Sequence, residues 1–197
     1  MSETSNAVRE PGLNILPPGV ERYIVNGGGL TGIQILPDDE IEIINKEGNQ
    51  ICEISVFNKE GKSEQAILNL KENKDASEIK KILSKKDEST LIALRQLKKR
   101  NLDISKSKSS IVFDKDTNWG EKLKIKSKDK CYCIFAAPGA EMLIHEQNPP
   151  TDLTIFVKRA KITKDKEHHV IPDPMFDPLS ETNIDRATAI SFQVKEG

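Results

Sequence analysis

Aromatic residues are scarce: 6 Phe, 2 Tyr and 1 Trp in 197 residues. Few platforms are therefore present on which bases could stack, as they do on single-strand binding proteins. An excess of one charge is missing too. Lys and Arg number 30 against 31 Asp and Glu, a net charge of -1, so no overall field draws the chain toward nucleic acid or an anionic membrane. Cysteine is rare and odd in number, at 3. That excludes a disulfide framework and fits a reducing, cytoplasmic compartment. No apolar run approaches the roughly 20 residues needed to cross a bilayer. The opening MSETSNAVREPG has no apolar core, so no signal peptide is expected. The phosphate-loop, dinucleotide, H-E-x-x-H and serine-elbow motifs are all absent.

What is present is short apolar stretches cut by turns. Residues 1–19 read as a flexible tail, because Pro17-Pro18-Gly19 removes backbone donors and fixes φ. From Val20 the pattern becomes β. Tyr23-Ile24-Val25 and Leu30 to Leu36 flank Asn26-Gly27-Gly28-Gly29, which reads as a hairpin turn rather than a phosphate cradle. Ile41, Ile43 and Ile44 mark a further strand. From Ile51 to Val56 apolar residues fall on both phases, as in a strand covered on both faces. The spacing suggests an antiparallel meander or barrel.

Residues 59–108 change character, with many lysines, interleaved acids and no aromatics. Asp75-Ala76-Ser77-Glu78 resembles a capping box, followed by Ile79, Ile82 and Leu83 on one helical face. A second helix is expected from Asp87, with Leu91, Leu94 and Leu97 as its stripe and an end near Arg100-Asn101. Their lysines read as a solvated face. Strand signals then return at Ile111-Val112-Phe113, Leu123 to Ile125, Cys131 to Ala137 and Leu153 to Val157. The expected class is mainly β (α+β): an antiparallel β-sandwich or barrel spanning 20–160, with a two-helix insert at about 75–101. Residues 161–186 read as a Pro- and Asp-rich linker, and 187–197 as the opening of a second β module that begins where the chain stops.

The densest polar chemistry lies between Ala136 and Arg159. His145, Glu146 and Gln147 sit between a strand and the Asn148-Pro149-Pro150 corner, where a His beside a carboxylate could move protons; a polar turn satisfying its own backbone is the competing reading. Thr151 and Asp152 fit a loop fixed by side-chain to backbone bonds. Cys131 and Cys133, two apart on a strand, share one face. With no paired C-x-x-C they read as small buried hydrophobes rather than zinc ligands. His168-His169 lies in a charged loop. No catalytic residue and no metal ligand is assigned from these patterns. Glu53, His145, Glu146, Gln147, Thr151 and Asp152 are the candidate binding residues for a small polar ligand.

Three stretches, GGGLTGIQILPDDEIEIINKEGNQICEI, AAPGAEMLIHEQNPPTDLTIFVKR and ATAISFQVKEG, together resemble the N-terminal region of bacterial proteins of the glycine-cleavage T-protein (aminomethyltransferase) type. In these, β-rich modules of the urea-carboxylase-associated kind precede a folate-dependent transferase domain. Glu47-Gly48-Asn49-Gln50 supplies the recurrent acidic-Gly-x-Gln turn. The resemblance implies an accessory, non-catalytic module whose partner is a downstream transferase domain, with tetrahydrofolate as the cofactor of the parent protein. Two alternatives stand beside it: a stand-alone small-molecule-binding or metal-dependent β enzyme using His145, Glu146 and Glu53, and an interaction domain using the Lys-rich helices.

Overall fold

The computed structural model describes residues 16, 17, 19–139, 150–160 and 190–194, the last segment as backbone only. The strands are β1 (Val20–Val25), β2 (Leu30–Ile35), β3 (Glu40–Asn45), β4 (Cys52–Asn58), β5 (Ser109–Phe113), β6 (Glu121–Lys126), β7 (Cys131–Ala136), β8 (Leu153–Lys158) and β9 (Ile190–Val194). Two helices, α1 (Glu78–Ser84) and α2 (Glu88–Lys99), lie between β4 and β5. The strands form a 4-stranded sheet in the order β1-β8-β3-β6 and a 5-stranded sheet in the order β5-β4-β7-β2-β9. All pairings are antiparallel. The fold is thus a mainly β sandwich of two open sheets with two helices, and it does not close into a barrel.

Consecutive strands lie in different sheets throughout, except β4 and β5, which the helical excursion joins. This corrects the meander expectation. Asn26 to Gly29 is not a hairpin; it carries the chain from β1 in one sheet to β2 in the other, closed by Gly29 N–H donating to the Asn26 carbonyl at 2.8 Å. Alternation of side chains reports which face is buried, not which strand is the neighbour. A meander and a chain weaving across a sandwich therefore write the same string.

The 5-stranded sheet is covered on both faces. Toward the other sheet it sends Ile33, Ile35, Cys52, Ile54, Val56, Cys133 and Phe135, which meet Val25, Ile41, Ile43, Leu153, Ile155 and Val157. Toward the helices it sends Leu30, Phe57, Tyr132, Ile134 and Ala136, against Ile79, Ile82, Leu83, Ala93 and Leu97. This double coverage is why β7 is apolar on both phases, and why β4 buries even Glu53 and Ser55 on the phase of Phe57. Each large side chain fully buried there contributes about 1.5–3 kcal/mol. The 4-stranded sheet has one covered face only. Its outer face carries pairs such as Glu42 with Lys124 at 3.4 Å, hence the clean alternation in β3 and β6.

In α1, Ile79, Ile82 and Leu83 are buried, as the periodicity predicts. The capping box does not form: the Ser77 side chain makes no cap bond. Instead Glu53, reaching from β4, accepts from Glu78 N–H at 2.7 Å. In α2, the Asp87 side chain caps Thr90 N–H at 2.7 Å, and Asn101 takes the left-handed φ of 57 that stops the helix. Its buried face is Thr90, Ala93 and Leu97, while Leu91 is 43% and Leu94 36% exposed. The small Thr90 and Ala93 let the helix approach closely, and counting large apolar residues selects the wrong flank.

The segment from 187, expected to open a second module, contributes β9, which pairs with β2 at Leu30↔Val194 through Gly32↔Phe192 in the same sheet. Among the described residues no helix is long and apolar enough to cross a membrane.

Candidate functional site

Because every strand of the sandwich runs parallel or antiparallel to its neighbours, the molecule has two loop-bearing ends. One end gathers the crossing at Asn26–Gly29, the β3–β4 turn, the β5–β6 turn and the two ends of the β7–β8 connection. The register requires this: Val25 and Asn45 both pair with Leu153, and Leu30 and Glu53 both pair with Ala136.

Gln50 is the hub of that end. Only 4% exposed, its side-chain amide donates to the Pro138 carbonyl at 2.8 Å and to the Ile51 carbonyl at 2.9 Å. Its Oε1 accepts from Thr151 N–H at 2.7 Å. One side chain thus holds both flanks of the β7–β8 connection. Asn45 Nδ2 in turn donates to the Gln50 carbonyl at 2.8 Å. Asp152 accepts from Gly27 N–H at 2.9 Å, tying the connection to the β1–β2 crossing. Gly27 has no alternative here, since a Cβ would sit 2.2 Å from the Pro150 carbonyl oxygen.

Three polar atoms at this end are buried without a hydrogen-bond partner among the described residues: Asn26 Nδ2, Asn45 Oδ1 and Thr151 Oγ1. Buried amides and hydroxyls normally find partners, so this end retains unused donors and an unused acceptor. Beside it, Trp119 is 82% exposed. Its backbone is seated under the β3–β4 turn, where a Cβ on Gly48 would meet Trp119 N at 2.8 Å and Asn49 N–H donates to the Thr117 carbonyl at 2.8 Å. The arrangement offers amide and hydroxyl groups with one carboxylate, Asp152, on the end of the sandwich that also carries the exposed Trp119. Such a set suits a small polar or zwitterionic ligand better than a strongly charged one.

The sequence-derived candidates scatter. Thr151 and Asp152 fall in this cluster and bond backbone to side chain across it. Glu53 sits one layer away, under α1. It is 1% exposed, and burial pushes its carboxyl above the usual range, partly offset by the Ser109 hydroxyl and the Glu78 and Ile79 amides. His145, Glu146 and Gln147, and likewise His168 and His169, lie outside the described residues. Cys131 and Cys133 lie in the inter-sheet core with sulfurs 3.6 Å apart. Among the described residues no group of His, Cys, Asp and Glu is arranged to hold a metal ion. Gln50, Asn45, Gly27 and Trp119 were not marked as ligand-site residues by sequence. A polar Gln ending a turn just before a buried strand was the signal for Gln50.

The fold and this site define a β-sandwich with one loop-bearing end organised around the Gln50 amide, with Asp152 as the carboxylate bonded across it. No family model matches the chain. It is similar to a trimethylamine-oxide aldolase from Ruegeria pomeroyi, at 32% identity over 193 residues. That alignment covers 98% of this chain and 24% of the relative, so the chain spans about a quarter of the protein it matches. The match corrects the aminomethyltransferase expectation. A near-complete alignment runs to a protein named for aldolase activity, and nothing in it supports a glycine-cleavage T-type assignment, its tetrahydrofolate or a purely accessory role. Strand-and-turn strings of the E-G-x-Q kind report a shared scaffold and not the reaction attached to it.

Proposed function

We propose that this chain takes part in an aldolase-type reaction on a small N-methylated amine oxide, and that the Gln50-centred end of the sandwich is where the small molecule binds. The observation that carries this reading is the 32% identity across 98% of the chain to a trimethylamine-oxide aldolase. The chemistry of the site supports it. Trimethylamine oxide joins a methylated, formally cationic nitrogen to an anionic oxygen. An exposed indole attracts methylated nitrogen through its π face, and Trp119 supplies one. Donors such as Asn26 Nδ2 and the Thr151 hydroxyl suit the oxide oxygen. His145 and Glu146, carried on the connection that Gln50 holds at both flanks, are the proposed source of proton transfer, with Gln147 beside them as a hydrogen-bonding group. Releasing one N-methyl carbon of trimethylamine oxide as an aldehyde, with no new C–C bond, gives dimethylamine plus formaldehyde and conserves every atom.

Trp119 is the only Trp, so its fluorescence reports on this site alone. Titration with trimethylamine oxide should give a saturable change, and Trp119→Phe should retain weaker binding by calorimetry. The protein carrying this chain should release formaldehyde and dimethylamine in equal amounts. In it, Trp119→Ala should raise KM by a few-fold to about thirty-fold, the worth of one cation–π contact. No saturable binding together with no formaldehyde would overturn the reading.

A further inference from the structure

Helix α2 has an apolar flank that is exposed among the described residues. At about 100° per residue, Asp87, Leu91, Leu94 and Lys98 fall on one stripe beside the buried Thr90, Ala93 and Leu97. Leu91 is 43% and Leu94 36% exposed, and Ile92 on the next stripe is 47% exposed. A groove of about 580 Å³, lined by Leu94, Leu97, Lys98, Leu102 and Ile104, continues the same flank. Large apolar side chains gathered on one exposed helix flank mark an interaction surface more often than scattered ones do.

We propose that this flank binds a second copy of the same chain, with the two α2 helices packed antiparallel about a two-fold axis. The charge order singles out this occupant. Read from the N-terminus, the stripe is acid, Leu, Leu, Lys. Turned end for end it becomes its own complement, so Asp87 meets Lys98 of the second copy and Leu91 meets Leu94. The neighbouring stripe of Glu88, Ile92, Arg95 and Lys99 repeats the acid-first, base-last order, and antiparallel helix dipoles also attract. A parallel arrangement would set Asp87 against Asp87 and Lys98 against Lys98. A two-fold contact of this kind is isologous and closes at the dimer. It rests on α2 alone and is independent of the proposed reaction.

Sedimentation velocity over a wide concentration series tests it on the whole chain. The expected result is a species of twice the 22.0 kDa chain mass. Leu94→Lys should weaken it tenfold or more, on the order of one lost apolar anchor at a small interface. Ile111→Lys, which alters an exposed apolar residue on β5 (37% exposed), should leave it unchanged. Mixing Leu91→Cys chains with Leu94→Cys chains under mild oxidation should give more cross-linked dimer than either variant alone. A monomeric mass at every concentration would overturn the proposal. So would a dimer indifferent to Leu94→Lys, or cross-linking no better in the mixture than in the separate variants.

Discussion

The two ends of the sandwich solve the same problem, fastening loops to strand termini, with opposite chemistry. At the end described above the fastener is an uncharged amide, Gln50, and polar atoms are left over. At the other end it is Arg159, just beyond β8, its side chain 13% exposed. Its guanidinium reaches Glu21 at 2.9 and 2.6 Å, Asp39 at 2.6 Å and the Gln34 carbonyl at 3.0 Å. Asp39 returns bonds to Leu36 N–H and Ala160 N–H, each at 2.9 Å, and the Tyr23 hydroxyl donates to Glu21. Burial works against the Arg159 charge, but its two carboxylate partners outweigh that and raise its pKa further. The Arg159 cluster is matched charge for charge. At the amide end Asn26 Nδ2, Asn45 Oδ1 and Thr151 Oγ1 have no hydrogen-bond partner among the described residues, and such a surplus suits a binding site.

The largest effect should come from breaking the charged end. Arg159→Met leaves Glu21 and the 1%-exposed Asp39 without their cation, a loss on the order of 3–5 kcal/mol. Denaturant unfolding should show it at neutral pH. Trimethylamine oxide binding at the far end should change little. If Arg159→Met costs less than removing Gln50, the contrast between a charge-matched end and an amide-fastened one fails.

Gln50→Ala sharpens the other half. It removes the bonds that Gln50 makes to the Thr151 N–H and the Pro138 carbonyl. The cost should be about 1–3 kcal/mol, less than for Arg159. Its functional effect should be the greater one: ligand binding read by Trp119 fluorescence should be lost or much weakened, and hydrogen exchange at the Thr151 amide should speed up. Loss of stability with binding intact would make Gln50 a fastener and nothing more.

How much of this was readable in advance follows from the range of each interaction. Local signals survived: Asp87 as a cap, Asn101 as a stop, and Ile79, Ile82 and Leu83 as one face. The two-phase burial of β7 was legible because neither of its phases is polar, whereas in β4 the phase of Glu53 and Ser55 is polar and buried all the same. Pairing was not legible, because the turn at Asn26–Gly29 is equally good for a hairpin or a crossing. The α1 cap was missed because its acceptor, Glu53, lies 25 residues before the amide it receives. The site was half legible. Thr151 and Asp152 stood out beside the prolines, but Gln50 reaches across 101 residues to Thr151 and 88 to Pro138, a distance no motif spans.

Glu53 joins the two chemistries and gives the smallest, most diagnostic test. Its carboxylate lies under α1, one layer from the amide end, and its partners are backbone amides and a hydroxyl. One oxygen accepts from Glu78 N–H at 2.7 Å, while Oε1 is buried without a partner. Desolvation therefore raises its pKa in the folded protein above the value of about 4.3 it would have when unfolded. The folded state then holds this proton more tightly than the unfolded state does. The stability Glu53 contributes is fully present below the unfolded value and is lost as pH rises through the folded one. Glu53→Gln, always neutral, should remove that slope. The difference in unfolding free energy, wild type minus Glu53→Gln, should fall steadily as pH rises through this window and then level off. Paired carboxylates at the Arg159 end are common to both proteins and cancel in the difference. A difference that rises with pH would mean that Glu53 is held by a cation after all, as Glu21 and Asp39 are, and the two ends would then differ in geometry rather than in kind.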